Sequence, residues 1–343
     1  MKPGRALSVG VACAFLCAGL ARAQFEEEIS TYPYKLPVGI PQPPPVPAKN
    51  PINDAKVDLG KRLYFDKRLS RNSAVSCATC HSPRKGWTDQ SPVSTGIHGL
   101  KGTRSAPTVL NAAYNLLQFW DGRAPSLEEQ AKGPMQNPVE MGFSLPGVVK
   151  RLKSIRGYAP LFRKAFGSPG VTIERVVQAI ASFERTVITG NSPYDRYQAG
   201  DAKAMSADAR RGMEIFFGKG NCSVCHAGFN FSDSDFHNIG VGMSRPKPDL
   251  GRFDVTKRDR DRGAFKTPTL RNLSDTAPYM HDGSEKTLAR VVDFYDKGGE
   301  PNKWLDGRIK PLHLTSAEKK ELLAFLDALN GDRVIVESPA LPQ

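Results

Sequence analysis

Two short cysteine motifs constrain this chain more than any other feature of its sequence. Residues 77–81 read CATCH and residues 222–226 read CSVCH, so both have the form C-x-x-C-H. The other two cysteines, Cys13 and Cys17, lie in an apolar N-terminal segment. Outside that segment every cysteine belongs to a motif, and none remains for a framework disulfide.

Three kinds of site use cysteines and histidines in this way. A thioredoxin-like redox pair requires a βαβ setting, which the sequence pattern lacks. A zinc site would join ligand pairs 145 residues apart and would not explain the paired histidines. Covalent c-type haem explains both features, because two thioethers fix the porphyrin edge and the adjacent histidine ligates iron. The sequence therefore predicts two c-type haems. The residues that would attach and ligate them are Cys77, Cys80, His81, Cys222, Cys225 and His226.

The N-terminal segment has the layout of a secretory signal peptide. Lys2 and Arg5 precede the apolar run 7–20, and an A-x-A site follows at residues 21–23. The apolar run is too short to span a bilayer and no later segment is long enough, so we do not expect an integral membrane protein. We expect cleavage of residues 1–23 near Ala23 and a periplasmic mature chain of 320 residues, enough for two domains.

The net charge of the chain is strongly basic. The formal charge is +13, and removing the three basic residues of the signal peptide leaves +10. A basic exported protein favours acidic protein partners through electrostatic steering, although charge also serves solubility alone. No basic stripe interleaved with aromatic residues is present, so a nucleic-acid partner is not expected.

The rest of the chain predicts a helical protein preceded by a proline-rich arm. The arm covers residues 24–51, and its proline content predicts an extended arm or tether. Segments with apolar residues at helical spacing are 58–65, 172–187, 287–295 and 316–329. Ser316 is expected to be a plain N-cap for the last of these, without a capping box. Strand-like alternation is scarce, so the predicted fold class is all-α.

A sequence repeat predicts that this fold is built twice. PTVLN at 107–111 matches PTLRN at 268–272, and WDG at 120–122 matches HDG at 281–283, both at an offset of 161. Each match lies downstream of a haem motif, which favours tandem duplication of a cytochrome c-like domain with the haems facing a shared interface. The predicted domains are 52–200 and 201–335, followed by a tail at 336–343.

The repeat also predicts that the two haems differ. When the two halves are aligned at the same offset, Tyr295 in the second half matches Pro134 in the first. Tyrosine can ligate ferric iron through its oxygen, whereas proline has no side-chain donor. One haem could therefore be closed and the other open, as one reacting haem and one relay haem would require. The alternative for Tyr295 is a half-buried aromatic residue in a helix.

Several motifs together resemble the bacterial di-haem cytochrome c peroxidase family, including its MauG branch. They are the two haem motifs, PTVLN, QFWDGR, LEEQAKGPMQNPVEMG, KTPTLRN, TAPYMHDG and TLARVVDFY, within residues 52–329. The resemblance implies two all-α cytochrome c-like domains with a calcium ion between them. It also implies reduction of hydrogen peroxide by a small periplasmic donor, either a c-type cytochrome or a copper protein. A homodimer is compatible with it.

The resemblance assigns roles to residues of the first half. Trp120 matches a tryptophan that lies between the haems as an electron bridge. Gln130 and Glu140 match residues of the peroxide pocket, where a carboxylate moves a proton between the two peroxide oxygens. Pro134 matches the open distal face. Without the resemblance, Glu140 would be taken for an ordinary surface carboxylate.

In the second half the resemblance concerns the ligand opposite His226. Tyr295 falls where peroxidases of the family have methionine and where the MauG branch has tyrosine. An anionic phenolate lowers the haem potential and a neutral thioether raises it. Met280 and Met243 remain rival ligands. His237 and His281 are expected near the haem propionates.

Two departures from the family pattern leave alternatives open. His98 lies one residue out of register with the loop histidine that caps the first haem of some family members at rest. It is therefore either a cap or a solvent-exposed loop residue. Ser105 stands where the family uses an asparagine side chain for calcium, with carbonyl groups that match Thr276 and Pro278. We expect calcium to bind with one weaker ligand.

Three functions agree with these features. The first is a periplasmic peroxidase with an open first haem and a relay second haem. The second is a MauG-like oxidase that modifies aromatic residues of a partner protein through Trp120. The third is a non-catalytic electron carrier with two closed haems, which only Pro134 and Glu140 argue against. We favour the peroxidase, and the sequence separates it poorly from the oxidase.

Overall fold

The computed structural model describes residues 27–28 and 32–343, so the signal peptide expected at 1–23 lies outside the described residues. The α-helices are α1 Asp54–Phe65, α2 Cys77–Cys80, α3 Leu127–Gln136, α4 Leu145–Ser154, α5 Tyr158–Phe166, α6 Ile173–Glu184, α7 Pro193–Gln198, α8 Ala207–Phe217, α9 Arg252–Thr256, α10 Leu288–Asp296 and α11 Ser316–Asp327. None of the helices within these ranges is long and apolar enough to cross a membrane.

Strands contribute little to the fold. Antiparallel pairs of two residues each join β1 Glu27–Glu28 to β2 Val46–Pro47 and β3 Phe236–His237 to β4 Phe265–Lys266. Short 3₁₀ turns connect many of the helices, including one at the second cysteine motif, Cys222–Val224. The helical class predicted from the sequence is confirmed.

Each half is built around one close helix crossing. In the first half α1 packs on α6, and a Cβ added at Gly60 would lie 1.8 Å from the carbonyl oxygen of Ala179 and 2.9 Å from the Cβ of Phe183. In the second half α8 packs on α11, and the same atom at Gly212 would lie 1.9 Å from the carbonyl oxygen of Glu321. Both crossings need glycine because the two backbones approach too closely for a side chain.

The start of α11 corrects one expectation. Thr315, not Ser316, is the N-cap, and its hydroxyl accepts a hydrogen bond from the backbone N–H of Glu318 at 3.2 Å. The Glu318 carboxylate accepts the backbone N–H of Thr315 at 2.7 Å in return, which completes a capping box. The expectation of a plain Ser316 cap was wrong because the reciprocal bond fixes the start of the helix one residue earlier.

The repeat seen in the sequence is present in the backbone at the same offset of 161 residues. Turns Ala112–Tyr114 and Leu273–Asp275 follow asparagines with φ of 57° and 58°. Isolated bridges Gln118↔Ala124 and Tyr279↔Glu285 then close two matching turns. Helices α3 and α10 begin just after them, at equivalent residues. The backbone between the haem motif and the helix that follows, α3 or α10, therefore takes the same course in both halves.

Polar side chains join the halves between these repeats. The Thr189 backbone N–H donates to Oδ1 of Asn111 at 2.9 Å, and the Thr189 hydroxyl donates to Oδ1 of Asn272, also at 2.9 Å. Arg271 in the second half forms a buried ion pair with Asp195 on α7 at 2.7 Å. Arg271 also donates to the carbonyl of Gly39 in the proline-rich arm at 3.3 Å.

Both terminal segments pack against the first half. The carbonyl of Pro45 in the arm accepts from Arg185 Nε at 3.1 Å, so the described part of the arm is docked and not a free tether. The C-terminal segment returns to the first core, where Val334 and Val336 pack. Trp87 Nε1 donates to the carbonyl of Val334 at 2.8 Å. The segment predicted as a tail, 336–343, thus lies on the first half.

Candidate active site

The two motif histidines have the same environment. The Nδ1 atoms of His81 and His226 lie 3.0 Å from the carbonyl oxygens of Pro107 and Phe231 respectively. A carbonyl only accepts, so Nδ1 carries the proton and Nε2 keeps a free lone pair. Burial lowers the pKa of both rings, which favours the neutral form that ligates metals. Both histidines therefore fit the role of proximal iron ligand.

The second motif opens into a cavity of about 270 Å³ that is lined by residues of both halves. Cys222, Cys225 and His226 lie on its wall. Lys266 lines the same cavity, and burial lowers the pKa of its ammonium group to about 8, an effect that Asp233 opposes. Arg308 is a second cation on this wall. An apolar cavity with a histidine ligand, two cysteines and buried cations fits a haem and its propionates.

Beside this cavity, His237 lies buried between two carboxylates. Its Nε2 is 2.8 Å from Asp233 and its Nδ1 is 2.9 Å from Asp306. Burial alone would lower the pKa of His237, but hydrogen bonds to these carboxylates and the neighbouring Cys225 sulfur raise it to about 10. Cys225, Asp233 and His237 have ligand atoms within 4.8 Å of one another. The thioether at Cys225 would occupy that sulfur, so we do not assign a metal site there.

His281 is the residue of the second half that matches Trp120 in the WDG and HDG repeat, and it has a packing role. Its ring stacks on Phe265 with centroids 3.6 Å apart and an interplanar angle of 12°. Burial lowers its pKa to about 4, so the ring is neutral. The carbonyl of His281 accepts the backbone N–H of Ser105 at 2.8 Å. His281 therefore holds the two halves together at the cavity wall.

Trp120 occupies the matching position in the first half and contacts both halves. Its indole Nε1 donates to the carbonyl of Ser105 at 3.0 Å, and its own carbonyl accepts the backbone N–H of Lys266 at 2.8 Å. Trp120 lines the cavity of the second motif. Ser105 is two residues from Pro107, the carbonyl partner of His81. Trp120 therefore lines the cavity of the second motif and is hydrogen-bonded to the segment that carries the carbonyl partner of His81.

Glu140 is half-buried near the first motif. Asn137 Nδ2 donates to Glu140 Oε1 at 2.6 Å. Burial raises the pKa of Glu140, while the Asn137 hydrogen bond and the charge of Arg123 oppose that rise. The charge of Glu140 in turn acts on the Cys80 thiol, which places the carboxyl beside the motif. Such a carboxyl can hold or release a proton in the first pocket.

Gln130 and Pro134 lie one turn apart on α3, so they share a helix face. Pro134 is the eighth residue of α3, and Tyr295 is the eighth residue of α10. The structure therefore places these two residues at equivalent positions of equivalent helices, as the offset predicted. Pro134 offers only its carbonyl, which accepts the backbone N–H of Met141 at 3.2 Å.

Tyr295 and Met280 both line the cavity of the second motif. Burial raises the pKa of the Tyr295 phenol, so a positively charged metal would be needed to make it a phenolate. Met243 packs against Gly263 and is not part of the described cavity wall. Of the three ligands considered from the sequence, Tyr295 and Met280 therefore line the cavity that contains His226.

His98 and the expected calcium ligands lie in different places. His98 is exposed in the turn Ile97–Gly99, and the backbone N–H of Ile97 donates to the carbonyl of Glu140 at 2.8 Å.

Ser105, Thr276 and Pro278 line the cavity together. The Ser105 hydroxyl donates to the carbonyl of Met280 at 3.0 Å and keeps lone pairs for a cation. These oxygen donors fit a hard cation.

Comparisons with known proteins agree with this geometry. The family model for di-haem cytochrome c peroxidase matches residues 54–203. Methylamine utilization protein MauG of Methylorubrum extorquens is 45% identical over 305 residues, covering 88% of this chain and 86% of that protein. Cytochrome c551 peroxidase of Nitrosomonas europaea is 40% identical over 301 residues, covering 87% and 86% of the two chains.

A solved structure is also similar in sequence and in fold. The crystal structure of a MauG-like protein associated with microbial copper homeostasis has a TM-score of 0.80 and 35% identity, covering 87% of this chain and 95% of that one. The sequence matches extend across both haem motifs. The chain therefore belongs to the di-haem cytochrome c peroxidase and MauG family, an oxidoreductase family whose members carry two c-type haems.

Proposed function

We propose that this chain is a periplasmic peroxidase that reduces hydrogen peroxide to water at the first haem. The electrons come from a small redox protein, either a c-type cytochrome or a copper protein, through the second haem. The observation that carries this proposal is the asymmetry of α3 and α10. Near the first motif, Pro134, which has no side-chain donor, is paired with the half-buried carboxyl of Glu140. The second pocket contains Tyr295 at the equivalent position.

In this proposal the first haem would supply the iron that passes two electrons to peroxide, and the protein would move the peroxide's own proton between its two oxygens. The two further protons that the second water needs would come from solvent. Glu140 takes the proton from the near peroxide oxygen and returns it to the far oxygen, so that the far oxygen leaves as water. The Asn137 hydrogen bond at 2.6 Å fixes the carboxyl for both steps. Gln130, on the same face as Pro134, orients the peroxide.

Trp120 provides the electron bridge. Its indole ring and carbonyl are held by Ser105 and Lys266, so its position is fixed from both halves. A rigid aromatic group between two redox centres shortens the distance that each electron must cross. The haem attachment groups, Cys77, Cys80, His81, Cys222, Cys225 and His226, complete the proposed electron path.

The proposal extends to the remaining sequence predictions. Residues 52–200 and 201–335 form the two cytochrome c-like domains, and residues 1–23 direct export. A calcium ion binds the oxygen atoms of Ser105, Thr276 and Pro278 at the cavity wall. We expect chelator treatment to lower the melting temperature of the holoprotein and added calcium to restore it; unchanged melting would remove calcium from the proposal.

A second function, a MauG-like oxidase that modifies aromatic residues of a partner protein, is favoured by one observation. Tyr295 lies in the second pocket, where an anionic oxygen ligand would lower the potential of that haem. Two curated relatives with 45% and 41% identity are named methylamine utilization protein MauG. In this function, oxidising equivalents from the haems pass through Trp120 to the partner.

The deciding experiment uses exported protein whose mass shows two haems on a chain without residues 1–23. Steady-state consumption of hydrogen peroxide is measured with reduced cytochrome c as donor. We expect sustained turnover for the peroxidase. Negligible turnover with slow decay of the peroxide-oxidised protein would favour the oxidase, and no reaction with peroxide at all would leave an electron carrier. A single haem, or zinc in place of haem, would overturn all three functions.

A further inference from the structure

The duplicated helix crossing identifies a residue of the first pocket that the family motifs do not point to. Gly60 faces Phe183 on α6, and Gly212 faces Phe325 on α11, with the added Cβ 2.9 Å from the phenylalanine Cβ in both cases. Phe183 and Phe325 are therefore equivalent. The next residue along each helix is Glu184 in the first half and Leu326 in the second.

Leu326 shows which way this position faces. It lines the cavity of the second motif together with Cys222 and His226, and so does Leu322, one turn earlier on α11. By the equivalence of the two crossings, Glu184 faces the first haem pocket in the place where the second pocket has a leucine. A carboxyl therefore replaces an aliphatic group at a haem-facing position in only one of the two halves.

The Glu184 carboxyl has no partner in the described structure. The residue is 6% exposed, and its Oε2 atom is buried without any hydrogen bond. The neighbouring Arg185 does not neutralise it, because its guanidinium binds Glu128 at 2.8 and 3.2 Å and the carbonyl of Pro45. An unpaired carboxylate is costly to bury, so the protonated form of Glu184 is favoured in this position.

The charged and titratable groups around Glu184 connect it to the first motif. They are Tyr64 on α1, Cys77 on α2, Glu128 on α3 and Arg185 after α6. Burial raises the pKa of Glu184 to about 8, Arg185 opposes that rise and Glu128 adds to it. The Tyr64 hydroxyl donates to the carbonyl of His81 at 2.9 Å, so the cluster reaches the proximal ligand. A small change of local charge is enough to move a proton on or off Glu184 near neutral pH.

We propose that Glu184 is the proton-exchanging acid of the first haem pocket, releasing its proton when the first haem loses an electron and regaining it on reduction. The electron passes to peroxide or to an added oxidant, and the proton passes from the carboxyl oxygen to water. The net charge of the pocket then stays constant, because the carboxylate balances the extra positive charge on iron. This inference rests on the proposed function only in requiring a haem at the first motif.

This role differs from that of Glu140. Glu140 is held by Asn137, and its charge acts on Cys80, whereas the charge of Glu184 acts on Cys77 and Tyr64. Glu140 would exchange protons with peroxide during each turnover. Glu184 would set how the reduction potential of the first haem depends on pH, with or without peroxide.

The test is a redox titration of the holoprotein, followed by absorbance at pH values on both sides of 8 in the absence of peroxide. In the native protein the first-haem potential should fall as pH rises, because a deprotonated Glu184 favours the oxidised haem. Glu184→Gln, which has the same shape and no charge, should remove that slope and raise the first-haem potential at high pH. Glu184→Asp should keep the slope. The second-haem potential should be the same in all three proteins.

The equivalent position provides a matched control. Leu326→Glu should give the second haem a pH-dependent potential while the first haem behaves as in the native protein. A first-haem reduction potential that still falls with pH in Glu184→Gln would overturn the proposal. A native first-haem potential that does not change with pH would overturn it as well. Haem content by mass and the rate of peroxide reaction are recorded for each variant. A native protein that carries both haems but does not react with peroxide contradicts the proposed function and not the role of Glu184, whereas a native protein without a haem at the first motif overturns both.

Discussion

At the residue scale, the carboxyl of Glu140 combines burial with one strong hydrogen bond. Burial makes the charged form costly, and the Asn137 donor at 2.6 Å offsets part of that cost. The pKa of Glu140 is raised above the usual glutamate range, which is the direction that a group taking up and returning a proton requires. An exposed glutamate would stay ionised and would be a poor acid.

This balance predicts the effect of Glu140→Gln. We expect both haems to be attached and the peroxide reaction to slow by about 10²–10⁴-fold, the usual contribution of a general acid–base group. Stopped-flow absorbance would measure the rate. Glu129→Gln, on the exposed side of α3, is the matched control and should leave the rate unchanged. Unchanged kinetics in Glu140→Gln would make Glu140 an ordinary structural carboxylate.

The second pocket allows a parallel prediction about the ligand opposite His226. Tyr295→Phe should change the spectrum of the second haem and leave cyanide binding at the first haem intact, because Tyr295 lines the cavity of the second motif at the position equivalent to Pro134. Met280→Leu is the matched variant and should leave the spectrum unchanged. Electron paramagnetic resonance of the ferric protein, with one high-spin and one low-spin signal expected, is the measurement. A changed second-haem spectrum in Met280→Leu together with an unchanged one in Tyr295→Phe would make Met280 the ligand opposite His226.

Residues could be predicted from the sequence where the motif itself fixes the chemistry. The cysteines and histidines of the two motifs needed only their spacing, and Pro134 and Tyr295 needed only the repeat. Lys266 stands in the motif KTPTLRN, yet nothing in the sequence shows that burial lowers its pKa to about 8. The isolation of Glu184 is equally invisible, since it depends on Arg185 binding Glu128 instead.

At the element scale, the two halves repeat the same helix crossing and the same turns, and they differ in single positions on the pocket side. The predicted segments 172–187, 287–295 and 316–329 correspond to α6, α10 and α11, whose apolar faces pack in the cores. Sequence periodicity found these helices because their buried faces repeat every three to four residues. Helix α7, with six residues, is too short to show a period.

The glycine of the crossing gives a test of element packing. Gly212→Ala should destabilise the second half by about 1–3 kcal/mol, because the new Cβ would lie 1.9 Å from a backbone oxygen and α8 must move away from α11. Thermal unfolding followed by circular dichroism measures the loss. Gly307→Ala is the control, because an added Cβ there has no atom within 4 Å. Equal stability of both variants would show that the crossing tolerates a side chain.

At the scale of the whole molecule, one buried ion pair connects the arm, α7 and the second half. Arg271 and Asp195 have side chains that are 1% and 2% exposed, and Arg271 also reaches the carbonyl of Gly39. Composition predicted an extended arm or tether because prolines disfavour helices and strands. It could not show that carbonyl groups of the arm would accept hydrogen bonds from Arg185 and Arg271.

Breaking that pair should affect the whole protein. Arg271→Met leaves the Asp195 carboxylate buried without its counterion, which typically costs about 3–5 kcal/mol. Denaturant unfolding measures the loss. Arg84→Met is the control, because the ion pair of Arg84 with Glu337 has both side chains 68% exposed and such pairs contribute at most about 1 kcal/mol. A similar small loss in both variants would show that the buried pair does not bind the halves together.

The return of the C-terminal segment to the first half has a consequence for the order in which the protein matures. A chain is made and exported from its N-terminus, and domains commonly fold in that order. Here Val334 and Val336 complete the first core, and Gly157 donates its backbone N–H to the carbonyl of Gln343 at 2.8 Å. The contacts of the C-terminal segment can therefore form only after the second half has been made, which makes them the last packing contacts of the first half.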